Sequence, residues 1–181
     1  MTRIQTTKDF LARAERLYTE DTVDAAVRRV AGEITEKLGD TYPLLVCVMN
    51  GGIVFAGDLM KRLNFPLDFD YLHVTRYGEE KISGGSLHWR AMPRTPVEGR
   101  VILVVDDILD EGVTLAAIVE HLNGLGAAAC YTAVAVDKLR EKNFKADFTA
   151  LTVPDRFVFG YGMDAYGLWR NLHAIYAMKE E

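Results

Sequence analysis

The chain has 181 residues, 49% apolar and 26% charged, which suits one domain of ordinary size with a full core. With 21 basic and 26 acidic residues it carries a net charge of −5, which argues against a nonspecific nucleic-acid or anionic-membrane binder while leaving room for a locally basic pocket. The opening MTRIQTTKDF lacks the apolar core of a secretory signal and no run reaches about 18 apolar residues, so a cytoplasmic protein with no membrane partner is expected.

Residues 8–18 read as a short helix and a strand-like lead. From Thr22 the apolar positions Val23, Ala26, Val27, Val30, Ile34 and Leu38 recur every three or four residues, one face of an amphipathic helix that Gly39 is placed to end. Residues 43–48, PLLVCV, are a buried-strand candidate. They run into Asn50-Gly51-Gly52 and then an apolar helix from Ile53 to Leu63. Paired glycines between strand and helix permit backbone geometry closed to other residues, and most often that is plain turn chemistry. Leu67–Val74 is strand-like. The polar, glycine-rich 75–85 reads as a loop, 86–92 as a possible returning strand, and Pro93–Gly99 as a turn.

Residues 101–115, VILVVDDILDEGVTL, are the stretch around which the rest is organised. Val101–Val105 is a short unbroken apolar run of the kind buried on both faces of a parallel sheet. Asp106, Asp107 and Asp110 follow, then Glu111-Gly112-Val113-Thr114 and a helical pattern to about Asn123. A strand, an acidic turn and a helix in this order point the loop at the carboxyl edge of the sheet, where open α/β folds bind ligands. Gly112 lets the backbone come close, and the amides of 111–114 at a helix N-terminus would face an anion such as phosphate. A strand followed by two aspartates is, alone, more often a loop capping a helix, with Asp110 as the N-cap. The third Asp, Gly and Thr in register favour a ligand loop. Carboxylates beside a phosphate-ready loop call for an intermediary, and Mg²⁺ is the usual one.

Residues 127–136 are a further apolar strand ending in Asp137-Lys138, and 148–153 another. Residues 154–164 are aromatic-rich, and His173–Met178 is a last strand-like segment. Cys47 and Cys130 lie in apolar runs and read as reduced, buried thiols. His73, His88, His121 and His173 are scattered, with no zinc spacing, and read as structural or exposed.

VVDDILDEGVTL resembles the signature of the type I phosphoribosyltransferases, which bind 5-phosphoribosyl 1-diphosphate. With Asp110 in it, it is similar to their 6-oxopurine, hypoxanthine-guanine branch. PDRFVFGYGMD followed by WRNL is similar to the purine-binding segment of the same enzymes, and the likeness spans residues 17–178. The resemblance implies an α/β fold with a central, mostly parallel sheet flanked by helices and a small hood formed by the chain ends. That makes one domain over 1–181, with its core at about 40–150, the hood at about 1–20 and 151–181, and a flexible lid at about 76–90.

For the site it implies that Asp106 and Asp107 bind the ribose hydroxyls, and that Asp110, Glu111, Gly112, Val113 and Thr114 wrap the 5-phosphate. Asp110 also stands as candidate general base near purine N7. Asn50, Gly51, Gly52 and Arg170 would meet the diphosphate, although relatives often have Lys or Arg at the place of Asn50. Lys138 would donate to purine O6, Phe157 stack on the base, Val158 read its edge through the backbone, and Asp164 complete the purine side. Arg76 and Tyr77 belong to the lid, where many relatives have Ser at the place of Arg76. Mg²⁺ is the implied cofactor, held by Asp106, Asp107 and Asp164, and a homodimer or homotetramer the implied assembly.

The expected activity is purine salvage: hypoxanthine or guanine plus 5-phosphoribosyl 1-diphosphate to the 5′-mononucleotide and diphosphate. A non-catalytic sensor of phosphoribosyl diphosphate on the same fold is the alternative, disfavoured by the complete purine segment and the lack of a basic extension. A phospho-receiver domain also pairs an acidic turn with a strand-end lysine, but its acidic pair belongs after the first strand.

Overall fold

The structure, a computed structural model, describes residues 10–76 and 87–179. Strand β1 (Ala14–Tyr18) leads into helix α1 (Glu20–Leu38). The Thr19 side chain caps α1 by accepting from the Thr22 amide at 3.3 Å, and Glu20 and Asp21 place negative charge in the first turn. Its buried face is the predicted one, Val23, Ala26, Val27, Val30, Ile34 and Leu38, joined by Ala31.

A six-stranded sheet then forms in the order β4-β3-β2-β5-β6-β7, from β2 (Leu44–Met49), β3 (Asp68–Arg76), β4 (Leu87–Ala91), β5 (Val101–Leu109), β6 (Ala129–Leu139) and β7 (Phe148–Pro154). All neighbours are parallel except β3 and β4. The expected α/β architecture with a central, mostly parallel sheet flanked by helices is therefore the one adopted. Helices α1 and α2 (Ile53–Met60) cover one face, over Leu45, Cys47, Leu103 and Val105. Helix α3 (Val113–Gly124) covers the other, over Val46, Ile102 and Val104. Short continuous apolar runs are what such doubly covered strands require.

After β2 the chain crosses to β3 on one side, and after β5 it crosses to β6 on the other. The strand order thus reverses between β2 and β5. A crevice opens at the carboxyl ends of strands at such a point.

Two strands outrun their predicted ends. β5 continues through Asp106, Asp107 and Ile108 to Leu109, because β6 goes on pairing with it, Asp106 with Val134 and Leu109 with Asp137. β6 continues to Leu139, which puts Lys138 inside a strand held by Val153. The acidic pair is thus part of a paired strand and not of a turn.

A second, three-stranded antiparallel sheet, β1-β9-β8, joins residues far apart in sequence: β8 is Val158–Phe159 and β9 is Ile175–Met178. Ala14 pairs with Met178, and Val158 with Ala177. Arg156 fastens this sheet, donating to Glu15 Oε2 at 2.8 Å and to the Met178 carbonyl at 2.5 Å. Among the described residues no helix is long and apolar enough to cross a membrane. Cys47 and Cys130 are free thiols whose pKa burial pushes up to about 12 and about 11.

Candidate active site

A cleft of about 590 Å³ opens at the reversal point, lined by the ends of β2, β3 and β5, the start of α3, and Asp164 and Arg170. Asp106 and Asp107 stand at its centre. Burial raises the pKa of both; the neighbouring Asp107 charge adds to the rise at Asp106, and at Asp107 the opposing contacts, including Arg170, do not cancel it. The nearest cation is Arg170, whose Nη1 lies 3.8 Å from Asp107 Oδ2. Two adjacent carboxylates with so little compensation make a site that attracts a cation or sugar hydroxyls.

Gly51 and Gly52 fit around this pair. A Cβ on Gly51 would fall 1.8 Å from Asp107 Oδ2, and one on Gly52 would fall 2.7 Å from the Val105 carbonyl oxygen. The first glycine therefore lets Asp107 approach the loop, and the second lets the turn pack onto β5. The Gly52 amide is used within that turn, donating to the Val48 carbonyl at 3.0 Å. Asn50 and Gly51 line the cleft, and the Met49–Asn50 peptide is cis.

The phosphate-ready loop lies where the sequence puts it. Glu111, Gly112 and Thr114 line the cleft, and Val113 opens α3 half exposed. Gly112, not Asp110, is the N-cap. It holds φ +81°, the left-handed region that favours glycine, and a Cβ there would lie 2.7 Å from Phe144 Cβ. No acidic side chain sits in the first turn of α3, so the positive end of that helix faces the cleft, with Glu111 just ahead of it.

Asp110 is freed from capping for a different contact. Its Oδ2 accepts from Lys138 Nζ at 3.0 Å and its Oδ1 from Arg140 Nη1 at 2.9 Å. Burial alone would raise its pKa, but the two cations outweigh burial and hold it below the usual carboxylate value. Asp155, just beyond β7, stands 3.9 Å from the same ammonium and 3.8 Å from the same guanidinium. Lys142 braces the corner with its ammonium on the Asp137 carboxylate and on the carbonyls of Lys138 and Leu109.

On the far side, Arg170 donates to Asp164 Oδ1 at 2.5 Å and to the Gly162 carbonyl at 2.7 Å, while Asp164 Oδ2 accepts the Gly167 amide at 2.7 Å. A Cβ on Gly162 would meet the Gly51 carbonyl oxygen at 2.3 Å, so this segment rests directly on the Gly51 turn. Tyr161 anchors it: the ring is buried and the hydroxyl donates to Asp58 Oδ2 of α2 at 2.9 Å. Phe157 is half exposed and stacks on Tyr166 at 6.2 Å, while Val158 is buried in β8.

The structure thus gathers Asp106, Asp107, Asp110, Glu111, Gly112, Thr114, Asn50, Gly51, Asp164 and Arg170 on one cleft. Lys138 reaches it through Asp110; Val158 belongs to the small sheet and Phe157 immediately precedes it, and neither lines the cleft. Among the described residues no three His, Cys, Asp or Glu side chains converge as a ready-made metal cage, and Asp164 is taken up by Arg170. Mg²⁺ needs no such cage, since it keeps waters and substrate oxygens and takes one or two carboxylates. The Asp106–Asp107 pair meets that need. Tyr77 lies outside the described residues; of Arg76 only the backbone, the end of β3, is described. His73, Thr75 and Arg90 also line the cleft, from the β3–β4 side. From sequence His73 reads as structural or exposed, because a lone histidine in a strand carries no signal of what its edge will face.

The family model for the phosphoribosyl transferase domain matches residues 14–166. The hypoxanthine-guanine phosphoribosyltransferase of Bacillus subtilis (strain 168) is 36% identical over 165 residues, covering 90% of this chain and 92% of that one. The hypoxanthine-guanine-xanthine phosphoribosyltransferase of Tritrichomonas foetus is 34% identical over 167 residues, with 91% of each covered. A crystal structure of a hypoxanthine phosphoribosyltransferase from Staphylococcus aureus superposes with a TM-score of 0.86 at 28% identity over 91% of each chain.

Proposed function

The chain belongs to the phosphoribosyltransferase family, and we propose that it is a purine-salvage enzyme that moves the 5-phosphoribosyl group from 5-phosphoribosyl 1-diphosphate to N9 of hypoxanthine or guanine. The observation that carries this reading is the meeting of Asp110 with Lys138 from adjacent strands, beside the acidic pair and the phosphate-ready start of α3. That contact supports reading Lys138 as the base partner beside a sugar-phosphate cradle. The relatives named above are enzymes, and no finding favours the non-catalytic sensor.

In this reading the amides at the start of α3, with Thr114, hold the 5-phosphate, and Asp106 and Asp107 take the ribose hydroxyls. The Gly51 turn and Arg170 receive the diphosphate. The Lys138 ammonium donates to the 6-oxo group and has nothing to accept from a 6-amino group, so it selects hypoxanthine and guanine over adenine. Phe157 covers the base, Val158 reads its edge, and Asp110 accepts the N7 proton as N9 attacks C1 and diphosphate leaves. Mg²⁺, held by Asp106 and Asp107 with Asp164 behind them, supplies charge neutralisation for the diphosphate when bound. The side chains otherwise act by placement and by charge directed at the developing sugar cation. Residues 14–18 and 151–178 form the hood over the base, and the protein works in the cytoplasm as a homodimer or homotetramer; the lid expected at about 76–90 lies largely outside the described residues.

The test is an absorbance assay with phosphoribosyl diphosphate and Mg²⁺ against hypoxanthine, guanine, xanthine and adenine. Turnover of 6-oxopurines with adenine inert is expected. Binding of phosphoribosyl diphosphate without turnover of any base would sink the proposal.

A further inference from the structure

Asp110 is asked to do two things that conflict. A general base gains from a proton affinity near working pH, yet Asp110 sits between two cations that hold it strongly ionised. Lys138 is asked to face the 6-oxo group, yet its ammonium is engaged with Asp110 and only 12% of its side chain is exposed. A purine that recruits this ammonium to its 6-oxo group draws it away from Asp110, weakening that contact. Were the second cation missing as well, a half-buried carboxylate with Asp155 close by would take up a proton before it could act as a base.

The geometry points to Arg140 as the residue that resolves this: we infer that it is a positioning residue of the purine half-site, holding one oxygen of Asp110 while Lys138 leaves the other for the base. This rests on the proposed purine reading and adds to it a residue that the reading does not use. The two cations do not compete for one atom, because Lys138 takes Oδ2 and Arg140 takes Oδ1. Each can go without disturbing the other. Arg140 is anchored for this by the turn just past β6: its amide donates to the Lys138 carbonyl at 2.9 Å, and that same carbonyl accepts the Lys142 ammonium. Asp155 faces both cations, at 3.9 Å from the Lys138 ammonium and 3.8 Å from the Arg140 guanidinium.

The charged groups around the Asp110 carboxylate are thus Lys138 and Arg140 from the end of β6, Asp155 from the end of β7, and the adjoining Glu111, with Lys142 on the Leu109 carbonyl behind it. Two positive and two negative side chains form the inner set. Removing Lys138 alone by ligand leaves one cation between two carboxylates, a state that Arg140 supports. Removing both leaves none.

The experiment compares the wild type with Arg140→Met and Arg140→Lys. Carboxyl ¹³C NMR follows the Asp110 titration in the ligand-free proteins, and initial rates give the purine and phosphoribosyl-diphosphate constants. Arg140→Met should raise the Asp110 midpoint and cut kcat/KM for hypoxanthine roughly ten- to a hundred-fold, the span of one charge-assisted hydrogen bond. KM for phosphoribosyl diphosphate should stay within twofold, and Arg140→Lys should restore most of both readouts. An Asp110 midpoint unmoved by Arg140→Met, or hypoxanthine kcat/KM within twofold of wild type, would overturn the role of Arg140. A wild-type protein inert toward every 6-oxopurine would instead overturn the purine reading, and the NMR midpoint would still report on the Arg140 contact by itself.

Discussion

Replacing Asp110 with Asn keeps the size of the side chain and removes its charge, so chemistry and architecture can be told apart. The architectural loss is bounded by two ion-pair hydrogen bonds, at 3.0 and 2.9 Å, on a side chain that is 42% exposed. Screened pairs of that kind contribute roughly 0.2–1 kcal/mol each, so the variant should lose about 1 kcal/mol of stability at neutral pH. The sign follows from the depressed folded pKa: that stability is present above the unfolded value of about 3.9 and disappears as pH falls through the lower folded value. The two proteins should converge in acid. The chemical loss is larger, because an amide cannot take the N7 proton; a missing positioned base costs about 10²–10⁴ in rate, or about 3–5 kcal/mol of barrier. Urea unfolding from pH 7 to pH 3 measures the first quantity and the absorbance assay with saturating phosphoribosyl diphosphate the second. Turnover by Asp110→Asn within about fivefold of wild type would place its effect on the architectural scale and refute a general-base role.

Lys138→Met should lower kcat/KM for hypoxanthine by ~10–10² through the lost contact to the 6-oxo group, with KM for phosphoribosyl diphosphate little changed; an equal loss on both substrates would contradict a base-specific role. Gly51→Ala puts a methyl group where Asp107 Oδ2 now lies, 1.8 Å away, so it should raise KM for phosphoribosyl diphosphate and the Mg²⁺ concentration needed for half-maximal rate, and unchanged values of both would show that the turn yields freely. Tyr161→Phe removes the hydroxyl donated to Asp58 and should lower the unfolding free energy from urea titration by about 1–2 kcal/mol, a loss absent from the double variant's increment when Asp58→Asn is already present. Asp70 accepts the amides of Tyr71, Arg94 and Thr95 at 2.7–2.8 Å, and these outweigh burial to hold its pKa down. Asp70→Asn should therefore flatten the loss of stability between pH 5 and pH 2, and an unaltered acid profile would exclude Asp70 from it.

Much of this architecture is legible in the sequence because parallel strands buried on both faces leave short apolar runs that little else produces. PLLVCV, VILVV and AVAV each announce a strand, and the aspartates and glycines that follow announce the edge where a ligand sits. The extra reach of β5 and β6 is not legible, since Asp106, Asp107 and Lys138 are kept in strand form by cross-strand pairing and not by their own preference. Nor is the bracket on Asp110, which joins side chains 28 and 30 residues away once two strands lie side by side. Tyr161 was read within an aromatic stripe; its hydroxyl finds Asp58 across 103 residues, a partner that periodicity cannot name. The cleft wall from His73, Thr75 and Arg90 is not legible, because strand patterns at 67–74 and 86–92 do not say what their edge faces.

The three-stranded sheet built from residues 14–18, 158–159 and 175–178 has a thermodynamic consequence. Its central strand has four residues and one flank only two, and its closure spans more than 150 residues of chain, so it belongs to the low end of local opening free energies. A nucleotide that binds only when this sheet is closed must stabilise it by mass action, by about 2.7 kcal/mol at a hundred times the dissociation constant. Amide exchange at Val158 and Ala177 should then slow on nucleotide binding while the amides of β2 and β5 keep their rates. If release of a nucleotide requires this sheet to open, loss of the Arg156–Glu15 contact should speed that release.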